Sequence, residues 1–106
     1  MAVAALGGIP PRQMPPHAHA HASRAVTIRI ANFAFEPRDA AAAIGDTVVW
    51  INDDAFEHVV VADSGAFSSP TLAGGKRYAY VITRAGRIRY HCAAHPVMLG
   101  TLIVNQ

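Results

Sequence analysis

From Ser23 onward, turn residues cut the chain into short runs, and most of those runs carry a period of two. That pattern limits the possible folds more than any other feature of the sequence. Val26–Ala31 alternates Val, Thr, Ile, Arg and Ile. Asp46–Asn52 follows Gly45 and is rich in β-branched and aromatic residues, and His58–Ala62 is rich in valine. Arg77–Thr83 places Tyr78, Tyr80 and Ile82 on one face. Arg87–Cys92 sends Ile88, Tyr90 and Cys92 inward and Arg87, Arg89 and His91 outward, and Leu99–Asn105 closes the series. Turns fall at Gly65, Gly74-Gly75 and Gly86. Strands at this spacing predict an all-β antiparallel sandwich of about seven or eight strands. Ala40–Ala43 is a run of strong helix formers, but it is too short to nucleate a helix and ends at once in Ile44-Gly45, so it reads as a strand. The stretch 62–73, with Phe67 and Pro70, is expected to run along one edge.

A chain of 106 residues with 52% apolar and 15% charged residues forms one domain with a modest core. No apolar run approaches the roughly 20 residues that a spanning helix needs, which predicts no membrane span. The single cysteine excludes an internal disulfide, leaving a free thiol, a metal ligand or a nucleophile. The formal charge of +2 points to an acidic docking partner. Lys76, Arg77, Arg84, Arg87 and Arg89 form a modest basic group without interleaved aromatics, which reads as a solvated sheet face and not as a nucleic-acid site.

Residues 1–22 differ in composition. A short apolar stretch, Ala2 to Ile9, is followed by Pro10-Pro11 and Pro15-Pro16 and then by His17, His19 and His21 alternating with alanine. Ala18-His19-Ala20 and Ala20-His21-Ala22 fit the small-x-small rule for signal cleavage, although the first positive charge, Arg12, lies after the apolar stretch. The segment is expected to be the remnant of an export signal or a flexible leader, with residues 23–106 forming the domain. The alternating histidines are able to bind metal, but nothing near them in sequence fixes their rings.

The chemistry concentrates in Tyr90-His91-Cys92-Ala93-Ala94-His95-Pro96-Val97-Met98. A thiolate, an imidazole and a thioether follow one another at three-residue spacing from the end of a strand. His58 adds a second imidazole from a neighbouring strand. Two imidazoles, one thiolate and a weak axial thioether form the donor set of a blue-copper site. Zinc prefers four strong ligands and methionine is a poor fourth, so the set favours copper. Cys92 as a nucleophile would leave Met98 without a role. His91 alternates away from Cys92 and reads as a surface residue, while Trp50 and Tyr90 read as core aromatics.

Gly45-Asp46-Thr47-Val48-Val49-Trp50-Ile51-Asn52, then His58, then Tyr90-His91-Cys92 through His95-Pro96 and Met98 to Gly100, resembles the cupredoxin family, with the short ligand loop of its amicyanin-like and plastocyanin-like members. The likeness covers roughly residues 26–105. It implies a Greek-key β-sandwich with one copper at one end, ligated through nitrogen by His58 and His95, through sulfur by Cys92 and axially by Met98. It also implies that His95 is the partly exposed ligand through which electrons pass, within an apolar rim of Pro96 and Val97. Three departures follow. Val59 stands where relatives often carry Asn or Thr, so a side-chain tie between the ligand loops is lost, while a backbone N–H to the Cys92 sulfur remains available. Gly74 replaces a common turn proline, which is expected to loosen that turn. Glu57 is expected to add negative charge near the metal.

These readings together predict a monomeric, exported, non-enzymatic one-electron carrier with one Cu(I)/Cu(II) centre. Its redox partners would dock near His95, Pro96 and Val97. The alternatives are a module that stores or delivers copper and a small Cu or Zn enzyme, the latter requiring an open coordination position.

Overall fold

The computed structural model describes residues 22–106, and all but the last residue of the expected leader, including His17, His19 and His21, lies outside them. Eight strands form in chain order: β1 Ala25–Ala31, β2 Ala34–Glu36, β3 Asp39–Ala43, β4 Thr47–Asn52, β5 Val60–Ala62, β6 Arg77–Val81, β7 Gly86–Cys92 and β8 Leu99–Asn105. They divide into two four-stranded sheets, ordered β2-β1-β4-β6 and β3-β8-β7-β5. The two-residue period settles which face each strand buries. Ile28 and Ile30 of β1 and Val48 and Trp50 of β4 face inward, as do Tyr90 and Cys92 of β7 and Leu102 and Val104 of β8. Trp50, Phe67, Tyr78 and Tyr90 form one aromatic cluster inside the sandwich, with Trp50 and Tyr90 edge to face at 5.3 Å.

The expected antiparallel arrangement is corrected in two places: β1 pairs with β4 in parallel, and β3 pairs with β8 in parallel. The cause is the crossing of β3 to the second sheet. Once it leaves, β4 returns beside β1 in the same direction, which is the Greek-key solution to short strands on two sheets. The alanine run is a strand, and its alternation leaves Ala40 and Ala42 buried against β8. The stretch 62–73 borders β5 and the residues just before it through single bridges, Val61 to Ser68 and His58 to Leu72, and sinks Phe67 and Leu72 into the core. The basic group does not form one patch. Arg77 stands on β6 of the first sheet, whereas Arg87 and Arg89 stand on β7 of the second.

The turn 73–76 also departs from expectation. Lys76 N–H donates to the Ala73 carbonyl, and Gly75 takes a φ of +85°, which only glycine adopts freely. A Cβ on Gly74 would lie 2.8 Å from the Asp54 carbonyl oxygen. Gly74 therefore marks a close approach between two loops and not a loosened turn.

Candidate metal centre

β7 ends in Cys92, whose side chain alternation has already turned inward, and the sulfur is fully buried. The three-residue spacing that follows is two consecutive tight turns. His95 N–H donates to the Cys92 carbonyl at 3.2 Å, and Met98 N–H donates to the His95 carbonyl at 2.9 Å. Cys92 N–H then closes the loop on the Met98 carbonyl at 3.2 Å, and β8 leaves antiparallel to β7 with Leu99 opposite His91. One donor residue thus stands at each end of each turn. His95 is half-buried, Met98 is buried and Val97 is 89% exposed at the tip.

His58 arrives from the other side of the site. It is fully buried and held in a bridge with Leu72, donating its N–H to the Leu72 carbonyl and accepting from the Leu72 N–H. The next residue, Val59, leaves the ladder: its N–H points at the Cys92 sulfur at 3.4 Å, and its carbonyl accepts from Ala93 N–H at 3.0 Å. Two backbone bonds therefore join the ligand segments where no side-chain tie is available.

One donor atom from each of His58, Cys92 and His95 lies within 4.8 Å of the other two. Both imidazoles present Nδ1 to the sulfur, at 3.7 Å from His58 and 3.8 Å from His95. A metal with bonds of about 2.0–2.1 Å to nitrogen and 2.3 Å to sulfur, at an angle near 120°, requires a nitrogen–sulfur separation of about 3.8 Å. The observed separations fit a trigonal His2Cys centre. Among the described residues no fourth strong donor joins this group, which favours copper over zinc.

The sequence did not single out Asp54. Its Oδ2 lies 2.9 Å from His58 Nε2, and the same carboxylate accepts N–H groups from Asn32 at 2.7 Å and Phe33 at 2.9 Å. Burial alone would raise the Asp54 carboxyl, but the Phe33 and Asn32 N–H groups and the His58 ring outweigh it and hold it below the usual carboxylate range. The carboxylate that meets a ligand is thus Asp54, and Glu57 is exposed. Asp54 stands four residues before His58 in an Asn52-Asp53-Asp54 run rich in turn-forming residues, the sequence signal that could have pointed to it. Two aromatics were also missed. The Phe33 ring stands edge-on to His95 at 5.0 Å and to His58 at 5.3 Å, and packs on Phe56 at 5.0 Å.

The sandwich and the donor set at its end together define a cupredoxin-type copper protein. Residues 22–105 match the model of copper-binding proteins of the plastocyanin/azurin family, and the chain belongs to that family. It is 33% identical to amicyanin of Paracoccus denitrificans over 100 residues, spanning 90% of this chain and 76% of that protein. It is also 33% identical to plastocyanin of Capsella bursa-pastoris, over 70% of this chain and 90% of that one. The structure of an oxidised proline-to-alanine variant of amicyanin superposes with a TM-score of 0.73 at 33% identity, covering 83% of this chain and 89% of that one.

Proposed function

We propose that this chain is a type 1 copper protein that carries single electrons between larger redox proteins, with Met98 as the axial ligand beside His58, Cys92 and His95. The observation that carries the reading is the pair of Nδ1-to-sulfur separations, 3.7 and 3.8 Å, in a site whose donors are two imidazoles and one thiol. Met98 supports it by its burial and by closing the ligand loop on Cys92. Bound copper supplies the Cu(I)/Cu(II) couple. The protein's part is to keep the donors still. Three of the four come from one doubly turned loop, and backbone bonds lock the fourth segment to it.

His95 is the half-buried ligand, and the rim around it is apolar: Phe56 is 61% exposed, Phe33 41%, Val97 89% and Leu99 48%. Partners dock here, over His95, Pro96 and Val97. An acidic surface on the partner suits the chain's net charge. Among the described residues no helix is long and apolar enough to cross a membrane. Export to the periplasm or beyond rests on the two Ala-x-Ala sites, and a monomer fits a docking face used transiently.

Adding Cu(II) to the metal-free protein is expected to produce an intense visible thiolate-to-copper band, absent in Cys92→Ala. A colourless protein that takes up one zinc and rejects copper would overturn the reading. Retention of copper through repeated reduction and oxidation separates an electron carrier from a delivery module, which would surrender the ion to an acceptor.

A further inference from the structure

The β1–β2 turn holds two consecutive residues in the left-handed region, Asn32 at φ 54° and Phe33 at φ 58°. With Ala31 paired to Ala34, they form a two-residue hairpin loop that demands positive φ at both central positions. Asparagine accepts that conformation readily, whereas a bulky aromatic is rare there and persists only where its surroundings enforce it. Asp54 enforces it. Its two carboxylate oxygens accept the Asn32 and Phe33 N–H groups, from more than twenty residues away.

The same Oδ2 that meets Phe33 N–H lies 2.9 Å from His58 Nε2. Because His58 turns Nδ1 to the sulfur, Nε2 is the nitrogen left to carry the proton and donate to Asp54. Asp54 is itself braced. Its N–H donates to Asn52 Oδ1 at 2.9 Å, Asn52 Nδ2 donates to the Phe56 and Leu72 carbonyls, and the Asp54 carbonyl lies close against Gly74. At the far end of the turn, the Phe33 ring lies edge-on against both ligand imidazoles and stays partly exposed.

We propose that Asp54 is a positioning residue that joins the ligand His58 to the exposed Phe33: one carboxylate orients the imidazole and pins the strained turn that wedges Phe33 against His58 and His95. This rests on the copper site described under Proposed function. A carboxylate accepting from Nε2 makes the imidazole a stronger donor and favours the more highly charged Cu(II). Removing that charge therefore favours Cu(I).

The test uses the copper-loaded full chain and compares Asp54→Asn, Asp54→Glu, Asp54→Ala and Phe33→Ala. Asp54→Asn keeps the size and one acceptor oxygen but loses the charge. Its preference for Cu(II) over Cu(I) is expected to fall about tenfold, read as a reduction potential higher by about 59 mV. Asp54→Glu is expected to restore part of the shift. In Asp54→Ala and Phe33→Ala, copper extraction by a chelator is expected to quicken about tenfold, with the double variant no faster than either single one because both break one device. If Asp54→Ala does not fold, Asp54→Asn and Asp54→Glu carry the test through the potential. A potential in Asp54→Asn that is unchanged or lower, with only the melting temperature reduced, makes Asp54 a turn cap and overturns the proposal. Extraction rates that multiply in the double variant also overturn it. Failure of the copper reading looks different, because the parent protein itself would then remain colourless.

Discussion

Gly100 is the position at which one added methyl group should do the most damage. It lies buried on β8 directly opposite Tyr90 of β7. A Cβ there would stand 2.6 Å from Tyr90 Cε1 and closer still to Cζ and the phenol oxygen. Carbon–carbon contacts are comfortable at about 3.5–4.0 Å, so the ring would have to retreat by about 1 Å or more. It has nowhere to go. Tyr90 is 1% exposed and packs edge to face on Phe35 at 4.7 Å and on Trp50 at 5.3 Å. Overpacking costs about 1–3 kcal/mol, and each disturbed aromatic contact adds about 0.5–1.5 kcal/mol. Gly100→Ala is therefore expected to lose about 3 kcal/mol, which lowers the melting temperature of a domain this size by about 12–24 °C. Thermal unfolding of the metal-free protein followed by circular dichroism reads the loss. The strain also reaches the metal loop, because Tyr90 precedes Cys92 by two residues and Gly100 follows Met98 by two. The thiolate band of the copper-loaded variant should shift accordingly. In a Tyr90→Leu background the alanine should cost much less, because no ring then lies over position 100. A Gly100→Ala protein that melts within about 2 °C of its parent would refute the reasoning.

Gly74→Ala puts a methyl group against the Asp54 carbonyl and is expected to cost about 1–3 kcal/mol. It should also alter the visible spectrum, since Asp54 meets His58, and a Gly75→Ala control should lose stability through its φ of +85° without that spectral change. Burial pushes the Tyr90 phenol up to about 12, with Asp39 adding to the push. Unfolding frees that phenol to ionise near its ordinary 10.0, so stability from this group is complete below pH 10 and is lost as pH rises towards 12. The loss amounts to about 2–3 kcal/mol. Ultraviolet titration should show a tyrosine ionising near 12 that is missing in Tyr90→Phe, and that variant should flatten the decline in melting temperature above pH 10.

What could be read from the sequence follows from the range of each interaction. The face that β7 buries was legible because its alternation of Ile88, Tyr90 and Cys92 is local. So was the C-x-x-H-x-x-M spacing, since each step is one hydrogen-bonded turn. The strand β2 was not legible: three residues carry no period, and its turn is pinned by Asp54 from a distant part of the chain. Parallel pairing escaped for the same reason, because nothing within β1 or β4 states which neighbour each will meet. His58–Ala62 read as one strand, but the ladder begins only at Val60, since His58 pairs with Leu72 and Val59 turns its N–H to the sulfur. Valine-rich patterning cannot report that two of its residues serve a site.

The fate of Val59 shows how the site is held. A polar side chain there would be one means of tying the two ligand segments together, and its absence leaves the work to the backbone. Ala93 N–H reaches the Val59 carbonyl, and Val59 N–H reaches the sulfur. Backbone ties fix position but bring no net charge. The ionisable group that does touch a ligand lies at the other end of the imidazole, where Asp54 meets His58 Nε2. Rigidity and electrostatic tuning are therefore separated in this protein. The doubly turned loop and the Val59 backbone hold the donors, and one carboxylate outside the donor group sets the charge felt through His58. That carboxylate also grips the Phe33 turn, so the element that tunes the ligand is continuous with the apolar rim around His95.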